Sequence, residues 1–204
     1  MKLPFPNSGL YAITSTHQNA TDKFVSAVDA AIKGGTRVVQ YRDKSKNPCI
    51  TKARQILETC HASAVPLIIN DDIALVKAIG ADGVHLGKDD ADIHQARVLL
   101  GNDAIIGVSC YNSIGLAEKA QREGVTYVAY GRFFPSRSKP NAPSAGLDVL
   151  TESTLDIPIV AIGGVTAQNG KHLLDAGADL LAVIDGIFGQ EDIQQAAEQL
   201  SRLF

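Results

Sequence analysis

Short runs rich in β-branched and aromatic residues alternate along the chain with longer stretches whose apolar positions recur at helical spacing. The runs are "LYAIT" (10–14), "RVVQY" (37–41), "PLIIN" (66–70), "GVHLG" (83–87), "IIGVS" (105–109), "YVAYG" (127–131), "PIVAIG" (158–163) and "LLAVI" (180–184). Between them lie helix candidates such as "DKFVSAVDAAIKGG", "PCITKARQILETCHAS" and "GLAEKAQREG". Several end in glycine, at Gly34–Gly35, Gly80, Gly124 and Gly177, as a left-handed C-terminal cap favours. Asn47 followed by Pro48 predicts an N-cap and a first helical position. "GADGVHL" (80–86) and "GADLLAV" (177–183) repeat one helix–turn–strand solution.

Eight strand–helix units predict an α/β chain closed into a (β/α)8 TIM barrel. An open doubly wound sheet is the alternative, but the first strand–helix turn lacks a GxGxxG fingerprint. At 204 residues the barrel is short against the typical ~250, so most loops must be tight. The exception is "GRFFPSRSKPNAPSAG" (131–146), which has three prolines and no apolar period. A loop of that length in a compact domain is usually functional, often a lid. No linker or low-complexity tract divides the chain, and residues 1–204 are expected to form one domain.

Composition narrows the partners. Hydrophobic residues make up 45% and charged residues 20%, the balance of a soluble globular protein, and the formal net charge is −3. No bulk positive field points to nucleic acid or an anionic membrane, so any anion must be held by local cations. The beginning, "MKLPFPNSGLYAIT", has neither a continuous apolar region nor a small-residue cleavage pattern. No apolar run approaches a membrane-spanning length. Cys49, Cys60 and Cys110 are odd in number and lack metal-ligand spacing, which fits reduced thiols in the cytoplasm.

In a (β/α)8 barrel the active site lies where the C-terminal ends of the strands meet. In "QYRDK" (40–44) the alternation of an extended strand puts Gln40, Arg42 and Lys44 on one face and Tyr41 and Asp43 on the other. Two adjacent cations repel unless an anion lies between them. Strand 3 ends in Asn70–Asp71, and strand 4 carries His85 and runs on to Asp90. Strand 5 gives Ser109, the strand 6 loop Ser136, Ser138 and Lys139, and strand 7 runs into Gly163–Gly164. Cations, two carboxylates, an amide, hydroxyls and a glycine turn at one end suggest a phosphorylated ligand with a hard metal ion. Mg2+ fits, being typically held by one or two carboxylates, phosphate oxygens and water.

Each piece also has a plainer reading. Asp71 and Asp72 precede "IALVKAIG", where either serves as a helix N-cap, and Asp89, Asp90 and Asp92 stand in the same relation to the next helix. His85 alternates with Val84 and Leu86 and points into the barrel, where a lone histidine is usually a hydrogen-bonded core residue. Gly-Gly serves any tight turn, and Lys139 on a loop serves solubility. What favours the functional reading is that all of these positions fall at one end of the barrel.

With those residues in place, the chain resembles the thiamine-phosphate synthase family. The likeness rests on "QYRDK", "IIND", "GADGVHLGKDD", "GVS", "FFPSRSK", "AIGGV" and "GADLLAVI", in the family's order and over nearly the whole chain. The resemblance implies a catalytic (β/α)8 barrel that joins 4-amino-5-hydroxymethyl-2-methylpyrimidine diphosphate to a thiazole phosphate, or its carboxylated form. The products are thiamine phosphate and pyrophosphate, formed by Mg2+-assisted dissociative substitution. It assigns Gln40, Arg42, Lys44, Asn70, Ser109 and Lys139 to the pyrimidine diphosphate. Of these, Arg42, Lys44, Ser109 and Lys139 would be catalytic. It assigns Asp71 and Asp90 to Mg2+. Ser136, Arg137, Ser138, Gly164, Ile184 and Asp185 would hold the thiazole phosphate. The implied partners are phosphorylated small molecules, with homo-oligomerisation left open.

The chain departs from the family pattern at three places. The usual Thr-x-Thr-Lys reads "SRSK", the usual Ile-Ser or Val-Ser near the end of strand 8 reads Ile184–Asp185, and the usual histidine two places after the strand 5 serine is Tyr111. A carboxylate at 185 opposes a phosphate dianion unless its side chain turns away. On the sequence it bears on the thiazole phosphate and not on the diphosphate and metal set. Two rival functions remain, a tautomerase acting on the same thiazole phosphate and a non-catalytic barrel binding thiamine intermediates. The cluster Arg42, Lys44, Asn70, Asp71, Asp90 and Lys139 speaks against both.

Overall fold

Eight parallel strands close into a barrel in which each hydrogen-bonds to its sequence neighbours and β8 returns to β1. The computed structural model describes residues 2–14, 21–45, 49–87, 93–136 and 143–204. In chain order the elements begin with β1 (Gly9–Ile13), α1 (Thr21–Lys33), β2 (Thr36–Tyr41), α2 (Ile50–Ala62), β3 (Leu67–Asn70) and α3 (Ile73–Ile79). Next come β4 (Gly83–Leu86), α4 (Ile93–Leu100), β5 (Ile105–Tyr111), α5 (Ile114–Arg122), β6 (Tyr127–Tyr130) and α6 (Asp148–Thr151). The chain closes with β7 (Ile159–Ile162), α7 (Gly170–Asp175), β8 (Leu180–Val183), α8 (Asp185–Phe188) and α9 (Ile193–Ser201).

The strands lie within a residue of their expected bounds at each end, except β5. It runs on through a register shift between Ser109 and Tyr111, where Tyr111 takes φ +53°. The extra residue changes which side chains the end of β5 presents. Gly80 shows why helix ends were legible. At φ +76° it takes the left-handed conformation, and its N–H closes α3 on the Val76 carbonyl. α2 begins at Ile50 with Cys49 in the cap position and no side-chain cap. Asn47 and Pro48, expected to start it, lie outside the described residues.

Alternation along the strands sorts the core into two layers. Leu10, Ala12, Val39, Tyr41, Leu67 and Ile69 point outward against the helices. Tyr11, Val38, Ile68, Ile105, Tyr127 and Leu180 fill the barrel. Its N-terminal end is plugged by the segment before β1. The Phe5 ring stacks on Tyr127 with 4.2 Å between centroids, and the Leu3 N–H donates to Asp82 Oδ1 at 2.8 Å. Fully buried Asp82 also accepts from the Leu67 N–H at 2.8 Å and lies 2.9 Å from His61 Nε2. One carboxylate thus ties the plug to β3 and α2, leaving the opposite end of the barrel open.

Candidate active site

The C-terminal ends of the strands surround a cavity of about 820 Å3. β2 delivers Gln40, Arg42 and Lys44 to it, one face of the strand and its extension. The opposite face of that segment is tied up locally. The Tyr41 hydroxyl donates to Asp43 Oδ2 at 2.9 Å, and the Ser45 N–H donates to Asp43 Oδ1 at 2.8 Å. Burial alone would raise the Asp43 carboxyl, but the Ser45 and Tyr41 donors outweigh it and hold the group below its ordinary range. Thr14 clamps the position of Arg42. Its N–H donates to the Gln40 carbonyl at 2.9 Å, and its Oγ1 accepts from the Arg42 N–H at 2.9 Å.

On the adjoining strand Asn70 ends β3, in register with His85 on β4. Asp71 follows at φ +64°, a left-handed conformation that aspartate tolerates better than most residues. Its N–H donates to the His85 carbonyl at 2.9 Å, and the Asn70 amide donates to its Oδ2 at 2.5 Å. The adjacent Asp72 is the helix cap, accepting from the Leu75 N–H at 2.8 Å. The two carboxylates that the sequence left interchangeable are therefore separated: Asp72 starts α3, and Asp71 faces the cavity.

Arg42 lies between acidic groups. Burial draws its guanidinium below the ordinary value, and the Asp71 and Asp185 carboxylates push it back up. Asp185 opens α8 and lines the cavity beside Ile184. This corrects the expectation that Asp185 bears on the thiazole end alone, because its charge reaches an arginine assigned to the diphosphate.

Gly163 and Gly164 form the turn after β7, at φ +105° and +63°. A Cβ on Gly163 would stand 2.3 Å from the Arg132 Cβ, and one on Gly164 2.4 Å from the Pro135 carbonyl oxygen. The close approach lets residues 132–135 lie across the turn, with the Phe133 N–H on the Ile162 carbonyl at 3.2 Å and the Phe134 N–H on the Gly163 carbonyl at 3.0 Å. Ser136 is thereby brought to the cavity edge.

The barrel thus gathers Gln40, Arg42, Lys44, Asn70, Asp71, Ser109, Ser136, Gly164, Ile184 and Asp185 around one space. Asp90, Arg137, Ser138 and Lys139 lie outside the described residues. Among the described residues no group of three or more His, Cys, Asp and Glu side chains forms a cluster able to hold a metal. Asp71 could serve Mg2+, as a hard oxygen donor oriented by an amide and lining the same cavity as Arg42 and Lys44.

A profile described as thiamine monophosphate synthase matches residues 10–187. The chain belongs to the thiamine monophosphate synthase family. It is 47% identical over 201 residues to the thiamine-phosphate synthase of Marinobacter nauticus, covering 96% of this chain and 90% of that protein. It is 46% identical over 208 residues to that of Methylococcus capsulatus, covering 100% and 92%. Among solved structures it is similar to thiamine phosphate pyrophosphorylase from Pyrococcus furiosus, at 30% identity and a TM-score of 0.84, covering 97% of this chain and 95% of that one.

Within this family barrel, Tyr11 and Arg132 line the cavity although the sequence did not mark them, and so does Tyr111, which the sequence marked only as standing in place of the family's histidine. Alternation from Ile13 places Tyr11 inward, which was available from the strand pattern. Tyr111 depends on the irregularity in β5 and Arg132 on the turn at Gly163, neither of which has a sequence signature.

Proposed function

We propose that residues 1–204 act as one catalytic unit, a transferase that condenses 4-amino-5-hydroxymethyl-2-methylpyrimidine diphosphate with 4-methyl-5-(2-phosphooxyethyl)thiazole, or its carboxylated form, to give thiamine phosphate and pyrophosphate, with carbon dioxide also lost from the carboxylated form. The observation that carries the reading is the convergence on one cavity of Gln40, Arg42 and Lys44 from β2, Asn70 and Asp71 from the adjoining β3, and Ser109 from β5. Family membership over nearly the full chain supports it.

The chemistry follows from charge. The C–O bond to diphosphate breaks with its electron pair leaving on the diphosphate. The pyrimidine methylene is left cationic and delocalised by the 4-amino group. Arg42 and Lys44, with Lys139, stabilise the leaving group where negative charge develops. Asp71 and Asp90 would hold Mg2+, which supplies further charge stabilisation to phosphate oxygens when bound. The thiazole nitrogen then gives its lone pair to the methylene, forming the C–N bond. Ser136, Arg137, Ser138, Gly164 and the Ile184–Asp185 turn hold the thiazole phosphate close, so that capture is effectively intramolecular. Apolar cavity walls at Ile13, Val160 and Ile162 limit water, which competes for the same cation. No protein nucleophile is required.

Free Cys49, Cys60 and Cys110 support a reducing, cytoplasmic setting. Among the described residues no helix is long and apolar enough to cross a membrane. Incubation with both substrates and Mg2+ should release pyrophosphate and form thiamine phosphate in equal amounts, and chelation should suppress both. Isomerisation of the thiazole phosphate without pyrophosphate release, or binding without turnover, would overturn the proposal.

A further inference from the structure

Five side chains from five strands form an unbroken line of hydrogen bonds across the barrel interior. Gln40 Nε2 donates to Tyr11 Oη at 2.8 Å, and Tyr11 Oη lies 2.8 Å from Tyr127 Oη. Tyr127 Oη lies 2.9 Å from His85 Nδ1, and His85 Nε2 lies 2.9 Å from Ser109 Oγ. Both ends, Gln40 and Ser109, open on the cavity, whereas Tyr127 is fully buried beneath it.

The direction of this line follows from its first bond. Tyr11 accepts from Gln40 and is itself buried, so its one hydrogen must go to Tyr127, its other hydrogen-bond partner among the described residues. Tyr127 then has its own hydrogen for His85 Nδ1. A ring that accepts at Nδ1 carries its proton on Nε2 and donates to Ser109 Oγ. The Ser109 hydroxyl hydrogen is left to point into the cavity. Burial raises the ionisation of both phenols well above the ordinary tyrosine value, so the line stays in its O–H form. A half-turn of the Gln40 amide would reverse every bond at once. Arg42 and Lys44 on the same face set the sense, because cations favour the amide oxygen, and not its NH2, toward the cavity.

We propose that Tyr11, Tyr127 and His85 form a polarised hydrogen-bond wire that fixes Gln40 as an acceptor and Ser109 as a donor, and thereby selects an aminopyrimidine over its oxo counterpart. This rests on reading the cavity as the pyrimidine diphosphate site. An amino-substituted ring presents an N–H donor beside a ring-nitrogen acceptor. A 4-oxo ring presents a carbonyl beside an N–H, and meets like groups at both ends of the wire. A site built for one hydrogen-bond pattern rejects the other because its own buried groups go unpaired. Tyr11 and Tyr127 are positioning residues, acting through Gln40 and through His85 and Ser109.

The first test needs no substrate. In 15N-histidine NMR spectra of the whole protein, with His85→Gln to assign the signal, His85 should be neutral with its proton on Nε2. In Tyr127→Phe, which keeps the ring and its stack on Phe5, that single tautomer should be lost. A proton fixed on Nδ1 in the unaltered protein would overturn the proposal.

The second test is kinetic. The unaltered enzyme should prefer the 4-amino over the 4-oxo pyrimidine diphosphate by roughly 1,000-fold or more. Tyr127→Phe and Tyr11→Phe should each cut that preference by about tenfold or more, and the double variant should be no worse than the poorer single one, as for residues acting as a unit. KM for the thiazole phosphate should not move. Additive losses, or a preference unchanged in both variants, would overturn the wire. Absence of thiamine phosphate formation by the unaltered protein would instead count against the function, with the tautomer measurement still deciding the wire.

Discussion

The ring of Phe5 lies parallel to that of Tyr127, 4° between planes, although Phe5 precedes the first strand and Tyr127 begins the sixth. The contact closes the barrel at the end opposite the cavity and supports the residue beneath His85. Phe5→Ala removes the stack and the apolar area that it covers. A stacked pair contributes ~1 kcal/mol beyond its burial, so a total loss of about 2 kcal/mol is expected. In a chain of this length that lowers Tm by roughly 4–8 °C, whereas Phe5→Leu should recover about half. Unchanged melting of Phe5→Ala would show that the segment before β1 does not seal the floor.

Neighbouring carboxylates with different duties give the next expectation. Asp72→Ala removes the cap of α3 and should cost about 1 kcal/mol while leaving the Mg2+ dependence of turnover as it was. Asp71→Asn keeps a residue that tolerates φ +64° and should melt within about 0.5 kcal/mol of the unaltered protein. It should nevertheless lose most turnover and require far more Mg2+. The two substitutions exchanging these phenotypes would show that the cap and the metal ligand have been assigned the wrong way round.

Much of this division could be read from the chain, and the reason is periodicity. Gln40, Arg42 and Lys44 share a face because a strand alternates, so their arrival in one cavity followed from "QYRDK" without coordinates. The barrel followed from repeated strand–helix units. Asp71 against Asp72 was beyond the residue pattern, since the choice lies in one backbone angle and both residues fit a cap; only the family resemblance pointed to Asp71. The contact of Tyr11 with Tyr127 joins side chains 116 positions apart and depends on the register of a closed sheet. Phe5, flanked by Pro4 and Pro6 in "LPFPNS", belongs to no helical or strand period.

The glycine turn after β7 should be intolerant of the smallest side chain. Gly163→Ala places a methyl group 2.3 Å from the Arg132 Cβ at a backbone φ of +105°. The strain should cost about 2 kcal/mol or more, relieved in part by lifting residues 132–135 off the turn. Since that segment brings Ser136 to the cavity, KM for the thiazole phosphate should rise more than KM for the pyrimidine diphosphate. Equal rises for the two substrates in steady-state kinetics would mean that the segment does not serve the thiazole end.

Asp185 poses the last question, because a carboxylate stands where a phosphate is proposed to bind. Its charge also acts on Arg42 from the end of β8, so it opposes an incoming phosphate and at the same time occupies part of the field of a diphosphate ligand. Replacing it with serine removes both effects and keeps a hydroxyl able to donate to a phosphate oxygen. A partly exposed pair of this kind is worth ~1 kcal/mol, so affinity for the thiazole phosphate should rise by about fivefold at low salt. The gain should shrink as salt is added, because it is electrostatic. Affinity for the pyrimidine diphosphate should rise in the same direction, since Arg42 loses the influence of one carboxylate. Titration calorimetry with each substrate separates the outcomes. If Asp185→Ser instead weakens thiazole phosphate binding, the carboxylate itself is a ligand contact, and the turn at Ile184–Asp185 does not hold the phosphate.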